Sequence, residues 1–413
     1  MREDELARRG EFRLDYQSAY QVTVQSILDS SWLCKALAIG STLDVQVMEK
    51  LCLAAASQSI GGFWDKCNLV SGNGFSLKNG NKSPPQWLLK LPVFETKEGM
   101  AESSLLQSQT FAELYGSRKI ESARAEELYK CPLIVIPQAL GPDRGVSTGY
   151  CFWNDNVCFS QSYFGYSAFG HDEYRLVMSL LNVLVHSSLF RHFCYMRSSR
   201  VGASRRTFLK EDLDAFPFPH LSDLNKEQRT QALALSDMLE TRQTKDLQAL
   251  DAFVGGLFGL SKAEQQVVAD TVTFNGPYAV VRKQAMYAVP PDEAATFVRT
   301  LEQAIQPFFK AVGQKVNAKL VPRLDGDWQQ PWAFVTLLLD DDTWEPSKKL
   351  ITSLIGEASA SAASRLVMPL PEGGLIIGLL NKRRFWTRSR ARLCALHIAE
   401  EHLERCFPLP ERK

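Results

Sequence analysis

Residues 173–196, EYRLVMSLLNVLVHSSLFRHFCYM, and residues 215–219, AFPFP, carry the reading on which the fold depends. In the first stretch Leu176, Leu180, Leu181, Leu184, Leu189 and Phe193 recur at helical spacing, which predicts one long helix with an apolar face. In the second, each proline removes a backbone donor and restricts the residue before it, so regular helix is excluded and a boundary is placed there. Immediately upstream, residues 131–170 read as β structure. The apolar run Leu133 to Ile136 and the aromatic segments around Phe152 and Tyr163 are separated by the turn-rich residues 141–149. Residues 61–85, ending in SGNGFSLKNGNKSPP, suit turns and exposed loop better than packed structure.

Further out, a helical block over residues 14–58 is interrupted at Gly40 and Ser41. Ser41 offers an N-cap, and Asp44 then sits near the positive end of the following helix. Downstream, Lys226 to Gly255 is a polar, strongly helix-forming stretch, and residues 261–270 form a further helix. Residues 294–312, 349–363 and 388–405 read as helices, with strands over Trp332 to Leu339 and Gly374 to Leu380. The fold class is α+β: a helical opening module over residues 1–60, a mixed β-rich lobe with long helices over 61–220, connecting helices over 221–270, and a separate C-terminal α+β domain over 271–413.

The 413 residues allow a large buried core, and 45% hydrophobic against 23% charged side chains is an ordinary globular composition, which argues against collagen-like or low-complexity chains. With 47 basic and 46 acidic side chains the formal charge is only +1, so any nucleic-acid surface must come from local clustering. The nine cysteines form no CxxC pair and no CxxH spacing, and read as reduced cytosolic thiols. Residues 1–10, MREDELARRG, have no apolar stretch, and nowhere do roughly 18 apolar residues run together. Neither export nor membrane spanning is indicated, and a cytoplasmic location is expected.

Catalytic motifs are hard to find. Neither GxGxxG nor GxxxxGK[ST] occurs, and the pair Gly72 and Gly74 lies in a polar loop without the third glycine of a dinucleotide site. No GxSxG elbow is present and the histidines form no HExxH pair, so His186 and His192 read as packed or capping residues. Asp340, Asp341 and Asp342 could hold Mg²⁺ for phosphodiester cleavage. However, the following Glu345-Pro346-Ser347-Lys348 has the wrong spacing for a nuclease motif, which favours a solvated turn. Asn81-Lys82-Ser83-Pro84-Pro85-Gln86-Trp87 only approximates the Asn-Pro-Pro-aromatic motif of adenine methylation: two residues intrude, and Gln86 stands where the stacking aromatic belongs.

Two basic clusters stand out. Arg197, Arg200, Arg205, Arg206 and Lys210 fall on a Ser/Gly-rich turn suited to phosphate contact, although arginines at a helix C-terminus also complement the helix dipole without any ligand. Lys382, Arg383, Arg384, Arg388, Arg390 and Arg392 are interleaved with Phe385 and Trp386, a combination suited to stacking on bases or to lining a protein interface. Lys78, Lys82 and Arg144 add charge to the polar loops.

Several strings, in order, resemble the target-recognition region that follows the catalytic domain in N6-adenine DNA methyltransferases of the type IIG restriction and phage-defence kind. They span about residues 30–265. Residues 32–44, WLCKALAIGSTLD, are similar to that family's W-x-x-K-A-x-x-x-G-[ST]-x-x-D helix. Val70 to Phe75, WLLKLP at 87–92 and YKCPLIVIPQ at 129–138 are similar to its glycine-containing loop and recognition strand. The closest portion runs from Leu176 to Pro219: a helix like LL-x-x-LNS-x-L, with Val183 in place of the serine, then an Arg-rich turn and the exit DLDAFPFP. Residues 250–261, LDAFVGGLFGLS, are similar to the helical tail.

The methyltransferase core of that family, with its AdoMet-binding and NPPY-type motifs, is missing from this sequence. The resemblance therefore implies a DNA-recognition, or specificity, subunit of a split N6-adenine methyltransferase in bacterial restriction-modification or antiphage defence. On this reading it binds double-stranded DNA and no cofactor, while a partner catalytic subunit carries AdoMet. Lys78, Lys82, Arg144, Arg197, Arg200, Arg205, Arg206 and Lys210 are the expected DNA contacts. Arg383, Arg384, Phe385, Trp386 and Arg388 are expected to face DNA or the partner. A metal-dependent nuclease using Asp340 to Asp342, or a scaffold binding only proteins, are the alternatives.

Overall fold

In the computed structural model the apolar stretch folds as two helices, Tyr174–His186 and Ser188–Arg197, bent by 65°. The single helix expected there breaks because Ser187 turns extended and its hydroxyl accepts the Phe190 N–H, capping the second helix. Asp251 strengthens the break, its carboxylate accepting from both the backbone N–H and the hydroxyl of Ser188 at 2.7 Å. Every residue from Leu176 to His186 is buried, so this helix is enclosed on all sides. No single helix among the described residues is long and apolar enough to cross a membrane. The bent pair qualifies by length and composition, but its side chains form protein core.

Described are residues 21–95, 109–116, 118–141, 148–202, 207–241, 247–310, 313–322, 331–339, 344–360, 365–370 and 374–401. They form an α+β protein with two compact units, Ser31–Val268 and Met1–Ser30 together with Ala269–Lys413. The segments 31–60, 61–220 and 221–268 fold together rather than as separate modules.

In Ser31–Val268 a four-stranded sheet has the order β1-β6-β3-β4, from β1 (Ser71–Asn73), β3 (Leu133–Pro137), β4 (Tyr150–Phe152) and β6 (Tyr163–Ser167), all pairs antiparallel. A short parallel pair joins β2 (Val93–Phe94) to β5 (Cys158–Phe159). Residues 61–85 are thus not all loop. Helix Ile60–Lys66 buries Phe63 and Trp64, and β1 joins the sheet. Gly74 is required there, because a Cβ would stand 1.9 Å from the Phe159 carbonyl oxygen. The AFPFP segment is no boundary either. It lies extended against 58–60, with the Phe218 N–H donating to Gln58 and the Phe216 carbonyl accepting from Ile60, so the prolines fall where no donor is needed. Phe216 and Phe218 are buried.

The second unit contains an antiparallel sheet of order β7-β8-β10-β9, from β7 (Val316–Leu320), β8 (Trp332–Leu339), β9 (Arg365–Pro369) and β10 (Leu375–Leu380). β8 is apolar along nearly its whole length because both faces are covered. Ala333, Val335 and Leu337 meet helices Pro291–Lys310 and Arg388–Glu401, while Trp332, Phe334 and Leu338 meet helix Lys348–Ala360. Trp386, grouped in the sequence with the basic cluster, belongs to this core. It is 2% exposed, its indole N–H donates to Leu380 at 3.0 Å, and its ring lies 4.9 Å from Phe297. Stacking on a base is closed to it, correcting that expectation. Trp386→Ala should lower stability by about 3–5 kcal/mol, as large-to-small core changes do. Urea unfolding checks this, and a loss below about 1 kcal/mol would contradict the core assignment.

Candidate nucleic-acid interface

Register places the chemistry-bearing loops of Ser31–Val268 at one end of the sheet. Asn73, the last residue of β1, pairs with Phe164, and Pro137, the last of β3, pairs with Tyr163. Tyr150, the first of β4, pairs with Val135. The loops after β1 and β3 and those before β4 and β6 consequently leave from the same end. There Asn73 and Gln138 both direct side-chain amides at the Gln161 carbonyl, at 3.4 and 2.6 Å, and Gln161 and Ser162 are exposed. A rim of carboxamides and hydroxyls results.

The central helix pair fastens this rim. Arg191, 1% exposed, donates to the Gly141 carbonyl at 2.8 Å, and the Thr148 N–H donates to His186 Nε2 at 3.1 Å. Both flanks of 142–147 are thereby tied to the core. Thr207 bridges Ala139, and the Phe208 N–H donates to Gln138 at 2.9 Å, so the residues after 203–206 join the same strand end. Before that segment, the Lys35 ammonium donates to the carbonyls of Ser198 and Val201, satisfying oxygens just beyond the helix C-terminus. Burial lowers the Lys35 pKa, opposed by the Asp212 carboxylate.

Other residues of the resemblance have equally physical roles. Asp44, expected only to favour a helix N-terminus, is 2% exposed; it accepts from Ser41 at 2.8 Å and from His192 Nε2 at 2.9 Å. A Cβ at Gly40 would come within 2.7 Å of that carboxylate, so the glycine makes room for it. Asn182 donates to Ser236 at 3.0 Å, holding helix Lys226–Thr241 against the core. None of these residues faces the rim as a reactive group. They set its position.

The expected site residues divide into three groups. Lys78, Lys82, Arg197 and Arg200 are exposed. Lys210 instead pairs with Asp214 and lies over the Tyr166 ring, so its charge is balanced locally. Arg144, Arg205 and Arg206 lie outside the described residues, as do Asp340, Asp341 and Asp342. In the second unit, the Arg383 Nε donates to Glu293 at 3.0 Å and its guanidinium lies over Phe274, a structural role rather than an open contact. Arg384 lies over the partly buried Phe385, and Arg388 is exposed.

Sequence reading missed Arg118 and Lys119. Reciprocal backbone hydrogen bonds between Lys82 and Ile120 bring these exposed cations beside the loop lysines. Arg124, at φ 67°, donates to Gly74 at 3.2 Å and ties the same segment to the end of β1. No local signal could reveal a pairing across that separation. Among the described residues no group of His, Cys, Asp and Glu could hold a metal ion, and the eight described cysteines are free thiols. Comparison with protein-family models and with curated proteins finds no match for the chain.

His186 makes the loop anchorage pH-dependent. Its Nδ1–H donates to the Asn182 carbonyl at 2.8 Å, leaving Nε2 to accept from Thr148. Burial pulls its pKa from 6.5 down to about 4, the Asn182 contact opposing and Arg191 adding to the fall. Above pH 6.5 the ring is neutral folded or unfolded and its contribution is complete. As pH falls toward 4, only the unfolded chain takes up the proton, and about 3 kcal/mol is lost. Urea unfolding across that interval should show His186→Gln losing correspondingly less stability than the parent. Equal losses would show that another group carries the pH dependence.

Proposed function

We propose that this protein recognises double-stranded DNA and serves as the specificity subunit of a split N6-adenine methyltransferase, leaving methyl transfer to a partner. The observation that carries the reading is the gathering of loops at one end of the β1-β6-β3-β4 sheet, where the carboxamides of Asn73, Gln138 and Gln161 meet and where the chain leaving β1 leads to the exposed Lys78 and Lys82, paired in backbone with the segment that carries Arg118 and Lys119. Lysine and arginine there supply sequence-independent contacts to phosphates. Carboxamides such as Asn73, Gln138 and Gln161 have the donor and acceptor pair that reads adenine in the major groove, each good bidentate contact being worth about 1–3 kcal/mol. Loops fastened to a rigid scaffold hold such polar groups in a fixed register. The place of the chain in restriction or antiphage defence, and AdoMet on the partner, follow from the resemblance of residues 32–44 and 176–219 to that methyltransferase family.

Binding of the full chain to a labelled duplex should weaken steeply with salt. Replacing Lys78, Lys82 and Lys119 together by glutamine should weaken binding to all sequences alike and flatten the salt slope by about 0.9 for each phosphate contact removed. Arg205→Ala with Arg206→Ala should act the same way. Three results would overturn the reading: no duplex binding even at about 50 mM salt, adenine methylation by the isolated chain supplied with AdoMet, or Mg²⁺-dependent plasmid cleavage abolished by Asp341→Ala.

A further inference from the structure

The chain leaving β1 is anchored before it turns outward. Phe75 is fully buried, with its ring 5.0 Å from that of Phe111, and the partly buried Leu77 packs on the same apolar cluster as Ile120. The Ser76 N–H donates to the Ser122 carbonyl at 3.0 Å and the Glu121 N–H to the Ser76 carbonyl at 2.8 Å, while Lys82 and Ile120 exchange a reciprocal pair. Residues 77–81 are thus held at both ends against residues 118–122. Their tip is closely fitted. A Cβ on Gly80 would stand 2.3 Å from the Lys119 carbonyl oxygen, and Asn79 takes the left-handed conformation at φ 54°, which asparagine adopts more readily than most residues. Two chain segments packed in this way form a narrow arm with apolar residues turned to the core and polar ones to solvent.

Charge on the arm is one-sided. Lys78, Lys82, Arg118 and Lys119 are exposed, and residues 76–83 and 118–122 contain a single carboxylate, Glu121, which accepts from the Ser76 hydroxyl at 2.7 Å. Between the two loop lysines stand Asn79 and Asn81, both exposed and without a side-chain hydrogen bond among the described residues. Each therefore keeps a donor and an acceptor for a ligand. The sheet-end carboxamides differ, because Asn73 and Gln138 each direct an amide N–H at the Gln161 carbonyl.

Resting on the reading of this chain as a duplex-DNA reader, we propose that the arm enters the major groove and that Asn79 and Asn81 read adenine there, with the four cations on the flanking phosphates. Width selects that groove: at about 12 Å it admits a two-stranded ribbon, whereas the minor groove, at about 6 Å, is too narrow. Chemistry selects the base. A carboxamide donates to adenine N7 and accepts from the N6 amino group, a pair of positions that no other base presents in the major groove. Lysine and arginine beside it fix the register of the arm on the backbone without reading sequence.

Site selection by the full chain from a random-sequence duplex pool, followed by affinity on the selected duplex made with adenine or with 7-deazaadenine, tests the arm. 7-Deazaadenine lacks the N7 acceptor and leaves base pairing and the minor groove unchanged. The parent is expected to select a site containing adenine and to bind its 7-deaza form roughly fivefold or more weakly. Asn79→Gly and Asn81→Ala, made singly, are expected to relax the preference at one position each and to lose correspondingly less on the 7-deaza duplex. Glycine keeps the left-handed conformation at 79, so the arm retains its shape. Arg118→Gln with Lys119→Gln should weaken selected and random duplexes alike. The proposal is overturned if the asparagine variants select the parent's site with the parent's preference, if they lose as much as the parent on the 7-deaza duplex, if the parent loses nothing there, or if the selected site contains no adenine. A parent that binds no duplex, or binds all sequences equally, overturns instead the reading on which the arm depends.

Discussion

A carboxylate enclosed in apolar surroundings must be matched or it destabilises the fold, and Asp44 is matched from two directions. Ser41 reaches it from the preceding turn and His192 from 148 residues away. Because the pairing accepts only one placement of helix Thr42–Ser57 against helix Ser188–Arg197, it fixes their relative position more than it adds net stability. Gly40 and Lys35 complete the arrangement, one by leaving space for the carboxylate, the other by satisfying carbonyls at the far end of the same helix.

The loops inherit their order from that frame. The central helix pair supplies Arg191 and His186 to the flanks of 142–147, and Lys35 and Gln138 hold the turn on either side of 203–206. Segments that differ widely in sequence position therefore leave the core at one end of one sheet.

In the second unit the arginine-rich block separates into residues in different surroundings. Arg383 and Trp386 hold the 3₁₀ turn Arg383–Phe385 to Glu293 and to the sheet core. Arg388 and Arg392, a turn or two further on, line an open cleft with Arg299. Neighbours in sequence diverge because a helix turns successive residues through about 100°, so core-facing and cleft-lining positions alternate along it.

Periodicity alone was enough for the long helices, for β8, and for the α+β class, since strong apolar patterns and proline exclusions are local properties of the chain. The packed character of His186 and His192 was also legible. Long-range partners were not: Asp44 with His192, Lys35 with Ser198, and Lys82 with Ile120 are contacts between distant segments that leave no spacing signature. The kink at Ser187 is not legible because the Asp251 carboxylate that holds Ser188 comes from 63 residues away, and the burial of Trp386 because charge surrounds it in sequence while Phe297 packs against it in space. Sequence determined the long apolar-faced helices, β8 and β10, and where charge is concentrated; tertiary structure decided where the central helix breaks, which loop residues join the sheet and which groups pair, because pairing depends on distances of a few ångströms between groups that the chain itself keeps far apart.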